Sequence, residues 1–377
     1  VVDDQPIPMY SGTPVIHNGV VYAPLSSLEI GLTIIPIYGC CTTSGGMAAF
    51  DLQTGKKLWF RPTIEEPAKQ TGRHWLFVEE YGPSGAPVWG APMLDPHRGI
   101  VYFGTGQNYS RPATATSDAI VALKTETGEK VWVHQFTEGD AYNVACDLPF
   151  VQPNCPEPMG PDLDFGAPPL LVRTADGHEL LIAGQKSADI YAMNPDTGET
   201  VWHNDLGRGG ALGGIHWGLA ANAELGLVFV PVSDIEAHSP KGVEPALGLY
   251  ALDAATGAIK WQHARVSRCE ERACFGGLSA AITATPDLVF AGSLDGYLEA
   301  YDATTGEVVW SDDSWKPYTT VNGIEAKGGA YDAHGPMIAG DQVIVSSGYD
   351  NYGQRAGNVL LVYQLKQGTQ PTQESAP

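Results

Sequence analysis

The chain has 377 residues, 43% of them hydrophobic and only 17% charged, with 45 glycines and 28 prolines. That is too apolar for a disordered chain and too rich in turn residues for a helical one. Lys+Arg 21 against Asp+Glu 43 leaves a formal net charge of -22, a surface that repels phosphate backbones and excludes nucleic-acid binding.

No apolar run approaches the roughly 18 residues that a spanning helix needs, so no transmembrane segment is expected. The chain opens on Val1-Val2-Asp3-Asp4, without Met or a basic and apolar leader. Either a signal peptide has been removed or this is the later part of a longer chain.

In chain order, the first predicted strand pair is 14–22, followed by Ser26-Ser27-Leu28-Glu29 and the adjacent Cys40-Cys41. Then comes a phrase that returns along the chain, Ala49-Phe50-Asp51-Leu52-Gln53-Thr54-Gly55-Lys56-Lys57-Leu58-Trp59, repeated at 122–132, 192–202, 251–261 and 300–310. The Ala, the Thr-Gly pair and the Trp keep their places in every copy, whereas Asp at the third place becomes Lys124 and Asn194 in two of them. Each copy reads as a hairpin: an alternating strand, a tight Thr-Gly turn, and a second strand that carries the Trp.

A further strand pair precedes each later unit, near 99–104, 180–184, 226–232, 287–292 and 341–348. The last leads into Val359-Leu360-Leu361-Val362-Tyr363, a copy without the turn. Four-stranded units repeated in this way predict an all-β protein, a β-propeller over residues 1–365 with six blades visible. The repeated Trp is expected to fill the wedge between neighbouring blades. The insertions 65–85 and 147–166 are expected on one face, where a site would be built. The polar tail 366–377 is expected to be disordered.

The six cysteines include Cys146 with Cys155 and Cys269 with Cys274, which read as loop staples of an exported protein. No Cys-x-x-Cys occurs, so covalent haem attachment and zinc ribbons lack their ligands.

The Ala-x-Asp-x-x-Thr-Gly-x-x-x-Trp repeat resembles that of pyrroloquinoline quinone (PQQ) propellers. Within them the chain is most similar to the quinoprotein alcohol dehydrogenases of the polyvinyl alcohol dehydrogenase branch. Stretches beyond the repeat carry the resemblance: Gly82-Pro83-Ser84-Gly85-Ala86-Pro87-Val88-Trp89, Phe103-Gly104-Thr105-Gly106-Gln107-Asn108-Tyr109-Ser110, Gly184-Gln185-Lys186-Ser187 and Gly213-Gly214-Ile215-His216-Trp217-Gly218. Members have eight blades. By that comparison two lie upstream of Val1, or else six close on their own.

The resemblance implies PQQ and Ca2+ as cofactors. Cys40 and Cys41, bonded to each other in a strained eight-membered ring, would cover one face of the flat cofactor, and Trp89 would stack on the other. Glu29 matches the calcium glutamate. The second ligand of the family is an Asn directly after Gly-Thr-Gly, where this chain has Gln107 followed by Asn108. Lys186 would donate to the quinone oxygens, and a cation there stabilises the charge that develops as the quinone accepts hydride.

The base of the small-alcohol members lies in Thr-Pro-x-Asp-x-Trp-Asp. Here that stretch is Thr137-Glu138-Gly139-Asp140-Ala141-Tyr142-Asn143, and an amide cannot accept the alcohol proton. Asp140 serves instead, directly or through water, or Asn143 positions the substrate. His216 and Trp217 are expected on the same face. The implied reaction is oxidation of a secondary alcohol, polyvinyl alcohol among the candidates, in the periplasm or outside the cell, with electrons passed to a cytochrome c. The rival is a non-catalytic scaffold, like the outer-membrane assembly lipoprotein that shares the repeat. That reading predicts no adjacent cysteines, no calcium carboxylate and no long insertions.

Overall fold

The computed structural model describes residues 7–74, 77–149, 152–235, 241–268, 275–351 and 353–365. The expected tail and the Cys269–Cys274 pairing lie outside them. No helix among the described residues is long and apolar enough to cross a membrane.

Six antiparallel sheets succeed one another along the chain, each made of strands that follow in sequence, except that Asn108–Ser110 leaves the second sheet to pair with Ser84–Gly85. The first contains Val15–His17, Val20–Ser27, Gly46–Asp51 and Lys57–Pro62, with Pro8–Met9 added beside the long strand. The next four are four-stranded, and the sixth has three strands, Met337–Ala339, Gln342–Ser347 and Val359–Gln364. Buried apolar clusters join each sheet to the next, from the first pair through to the fifth and sixth. The fold is a β-propeller.

The repeat explains itself locally. Its glycines (Gly55, Gly128, Gly198, Gly257, Gly306) all have positive φ, which L side chains resist. Each donates its N–H back to the carbonyl of the third repeat residue. Where that residue is Asp, its carboxylate accepts from the Thr N–H and hydroxyl, as Asp51 does from Thr54, Asp253 from Thr256 and Asp302 from Thr305. The constant Ala lies directly opposite the Trp in every copy, for example Ala49 with Trp59 and Ala251 with Trp261. A small side chain there leaves the indole room on the shared face of the sheet.

The Trp then reaches across to the next sheet. Nε1 of Trp59 donates to the Thr125 carbonyl at 2.9 Å, Trp132 to Pro195 at 3.0 Å, Trp202 to Ala254 at 3.1 Å and Trp261 to Ala303 at 3.1 Å. Each of these rings also seats on the turn glycine of that neighbour, so a Cβ on Gly128, Gly198, Gly257 or Gly306 would come within 2.6 Å of an indole carbon. Trp310 faces a sheet without the turn and packs edge-on against Tyr363 instead. Among the described residues, Gly55 has nothing within 4 Å of its Cβ position.

This contrast is measurable. Gly55→Ala is expected to cost only the strain of its positive φ, about 1–2 kcal/mol. Gly257→Ala is expected to cost that and a further ~1–3 kcal/mol of overpacking against Trp202. Urea denaturation of the two variants checks the difference, and equal losses would mean that the indole seat contributes nothing.

Candidate active site

The insertions build a second layer of strands across the first two sheets. Cys41 N–H donates to the Tyr81 carbonyl and Tyr81 N–H to the Cys40 carbonyl, at 3.1 and 2.7 Å. Gly85 N–H donates to the Thr43 carbonyl at 2.8 Å. Ser84–Gly85 pairs with Asn108–Ser110, and Asn108 bridges in parallel to Ala141. Gly160 N–H closes the series on the Ala141 carbonyl at 2.8 Å. Residues far apart in sequence are thereby held side by side by backbone bonds, on loops that a rigid scaffold positions.

Asp164 is the centre of the buried polar cluster. Its Oδ1 accepts from the Gln107 N–H at 2.9 Å, and its Oδ2 accepts from Trp89 Nε1 at 2.9 Å and from Lys186 Nζ at 3.2 Å. Lys186 also pairs with Asp162 at 3.1 Å and sits 5.8 Å from the Trp89 ring centroid. Burial pulls the Lys186 ammonium toward neutrality, but Asp162 and Asp164 outweigh it and hold the amine charged. The rings of His216 and Trp217 meet Trp89 edge-on, at 5.7 and 5.0 Å. Burial, and then the charge of Lys186, push the His216 imidazole down to about 3. With Nδ1 at 2.8 Å from the Ser279 hydroxyl, it is a neutral wall. Lys186, Trp89, His216 and Trp217 are thus brought together.

Cys40 and Cys41 are disulfide-bonded to each other, as are Cys146 and Cys155. The adjacent pair packs against Tyr109, with Ile30 and Tyr38 beside it. Burial raises the Tyr109 phenol, and the carboxylates of Asp164 and Glu29 raise it further.

Glu29, the expected calcium ligand, is engaged by donors of its own neighbourhood. Its oxygens accept from Tyr38 Oη and from the N–H and hydroxyl groups of Thr42 and Thr43. A carboxylate so surrounded by donors has no lone pair to offer a cation, and it anchors the loop that follows the disulfide. Asn108 is also engaged: Oδ1 accepts from the Thr114 N–H at 2.8 Å and Nδ2 donates to the Ser84 carbonyl at 2.9 Å. Asn143 is spent likewise, donating to the Tyr109 and Asn154 carbonyls and capping Val144–Asp147 through Oδ1, so its amide faces backbone and not substrate. Gln107 alone of the expected ligands keeps a free buried oxygen, Oε1. Among the described residues, no three His, Cys, Asp or Glu side chains converge as a metal cage.

Asp140 is fully buried, accepts from the Leu163 N–H through Oδ2 at 3.0 Å and leaves Oδ1 without a donor. Asp118 lies near enough for the two charges to act on each other, and among the described residues neither of its carboxylate oxygens has a donor. Burial raises both, and the charges of Asp140 and Asp164 push Asp118 up further. Two carboxylates this close cannot both stay ionised in such a place, so the pair holds a proton.

Asp118, Asp162 and Asp164 were not among the residues expected from sequence. Asp162-Leu163-Asp164 carried no strand signal, and Asp162 takes a left-handed backbone conformation there. Asp118 carried none, being a single carboxylate in a loop.

Residues 14–155 match the glucose/ethanol/alcohol dehydrogenase β-propeller domain family (PQQ), and residues 186–370 match the outer membrane protein assembly factor BamB family (PQQ_2). The chain is 37% identical to a polyvinylalcohol dehydrogenase of Pseudomonas sp. over 97% of its length, and 38% identical to one of Sphingopyxis sp. (strain 113P3), again over 97%. It spans 58% of each of these relatives. The quinohemoprotein alcohol dehydrogenase of Comamonas testosteroni shares the fold with a TM-score of 0.64 at 16% identity, over 97% of this chain and 62% of that one.

The Asp118–Asp140 pair makes stability depend on pH. A carboxyl raised in the folded state holds a proton that the unfolded chain releases. Its stabilising contribution is therefore complete below the unfolded value near 4 and is lost as pH rises through the folded value. Asp118→Asn is expected to flatten this loss, by about 1.4 kcal/mol for each factor of ten by which folding had raised the proton affinity. Urea denaturation at pH 4, 6 and 8 in the presence of a chelator checks it. Parallel profiles for the two proteins would refute the shared proton.

Proposed function

Because the chain belongs to the quinoprotein alcohol dehydrogenase family of PQQ-repeat propellers, we propose that it carries the centre at which a secondary alcohol is oxidised, with polyvinyl alcohol as the favoured substrate. The observation that carries this reading is the buried ammonium of Lys186, fixed by Asp162 and Asp164 beside the partly exposed indole of Trp89. When bound, PQQ supplies a quinone carbonyl that accepts hydride. The residues present fit such a group: an indole face, a charged donor, and a neutral imidazole and second indole closing the side.

Lys186 keeps its proton at Nζ and stabilises negative charge beside Trp89. Asp164 orients both, since it bonds the indole N–H and the ammonium together. Asp140 is the group placed to accept the hydroxyl proton, at the unpaired Oδ1. Its raised affinity for protons suits a base but requires the Asp118–Asp140 pair to hold no more than one proton. Gln107 Oε1 and Asp162 Oδ1, buried acceptors without donors, would be the groups to hold calcium, an ion that requires hard oxygen donors. Glu29 is not offered as its ligand.

The open seat at Gly55 supports a ring that continues before the first sheet, since each of the other four turn glycines receives a Trp from the preceding sheet. The propeller of residues 1–365 is then part of a larger one. The two disulfides favour the periplasm or the outside of the cell, where a cytochrome c would take the electrons. The second reading, an assembly scaffold, is favoured by the match over residues 186–370, but it gives no use to the charged lysine beside Trp89.

Purified protein supplied with PQQ and calcium is expected to reduce an artificial electron acceptor when given a secondary alcohol. Lys186→Met is expected to lower turnover by about 100-fold or more, the scale for losing one charge-stabilising donor. Neither cofactor binding nor turnover in the wild-type protein would overturn the proposal and leave the scaffold.

A further inference from the structure

Asp332 is a buried carboxylate in the segment that leads into Met337–Ala339, and the chemistry at Trp89 makes no direct use of it. Three segments meet around it. Ala281 N–H donates to the Ala333 carbonyl at 3.2 Å, which lays the stretch of Ser279 alongside that of Asp332. A Cβ on Gly218, the residue after Trp217, would come within 2.8 Å of the Ala281 side chain, and one on Gly335 within 2.6 Å of the Ala281 carbonyl oxygen. Both places need glycine for the backbones to approach so closely. Ala333 has φ 58°, a left-handed conformation that a non-glycine residue keeps only where its surroundings enforce it.

The polar groups of these segments form a chain. His216 Nδ1 lies 2.8 Å from Ser279 Oγ, and both residues are buried. Asp332 Oδ1 accepts from the Ala333 N–H at 2.8 Å and Oδ2 from Gln354 Nε2 at 2.9 Å. Burial raises the Asp332 carboxyl, and the Ser279 hydroxyl is the strongest of the donors that oppose the rise, ahead of Ala333, Gln354 and Trp217. A carboxylate can only accept. Ser279 therefore gives its proton to Asp332 and keeps its oxygen to accept from the imidazole.

The other ring nitrogen stands open. His216 Nε2 has no hydrogen-bond partner among the described residues, yet it is not one of the fully enclosed unpaired atoms. A ligand can touch it, on a ring that meets Trp89 edge-on at 5.7 Å. Burial and the charge of Lys186 keep that ring neutral, so only one of its nitrogens carries a proton.

We propose that Ser279 and Asp332 are positioning residues that hold His216 as the tautomer protonated at Nδ1, and so present Nε2 to the site as an obligate hydrogen-bond acceptor. Such a lone pair receives a hydroxyl proton and gains nothing from a carbonyl, which has no proton to give. The wall thereby favours an alcohol over the ketone formed from it and helps the product to leave. This use of Nε2 rests on the alcohol-oxidation reading, whereas the tautomer itself does not.

NMR of the cofactor-free protein with 15N-labelled histidine reads the tautomer directly, and His216→Gln assigns the signal. At pH 7 the wild type is expected to show a protonated Nδ1 and a bare Nε2. Ser279→Ala and Asp332→Asn are each expected to move proton occupancy toward Nε2, and Ser279→Thr, which keeps the hydroxyl, to restore the wild-type pattern. The remaining histidine signals report whether each variant is folded, and the wild-type pattern decides the tautomer without any variant. With PQQ and calcium supplied, Ser279→Ala is expected to be inhibited by the ketone product about five- to tenfold more tightly, the value of one hydrogen bond gained from Nε2. A wild-type His216 protonated at Nε2, or a pattern unmoved in Ser279→Ala or in Asp332→Asn, overturns the positioning role. Unchanged ketone inhibition with the tautomer shifted overturns the selection against product. The expected tautomers with no turnover of any alcohol overturn the enzyme reading and leave the positioning role standing.

Discussion

The contact on which the site depends is the buried pair that Lys186 makes with Asp162 and Asp164. Each charge alone would be costly to bury, and the pairing in low dielectric offsets that cost only with good geometry and further hydrogen bonds. Asp164 has them: one oxygen takes the Gln107 N–H, and the other is shared by the Trp89 indole and the ammonium. One carboxylate thereby joins the end of the Phe103–Gly104 strand, the loop after Gly85 and the strand that ends at Gly184. Removing it would release three segments at once.

The propeller supplies the stiffness behind that pair. A Trp that both donates to the next sheet and fills the space over its turn glycine fixes the angle between blades. The insertions then need only backbone bonds to be placed, and they form a ladder across the first two sheets. Rigid sheets below and bonded loops above are the usual division of labour between scaffold and site.

The fold was legible because its signal is repeated: Ala, Thr-Gly and Trp each do one local job, and five copies reinforce it. The strands fall where periodicity and turns put them, and Lys186, Trp89, His216 and Trp217 do come together. The rest required coordinates. Glu29 and Asn143 have the right residue types in the right stretches, yet their partners are N–H groups and carbonyls that no pattern of side chains reveals. Asp118 and Asp162 gain their chemistry from burial and from the carboxylates around them, which a sequence does not display.

That difference bears on how the base is chosen. A substitution of Asp by Asn at residue 143 reads, along the chain, as the loss of a catalytic group. In the structure the Asn143 amide ties Tyr109 to the loop of Asn154, a bond pattern that needs both a donor and an acceptor. A carboxylate there would place negative charge against two carbonyls. Asp140 is the base proposed above, and burial raises the proton affinity of both it and its neighbour Asp118. A pair with one proton between its two carboxyls carries a single negative charge, so the buried site never has to hold two. The amide at 143 therefore serves the loops of Tyr109 and Asn154, while the carboxyls at 118 and 140 owe their raised proton affinity to burial and to each other.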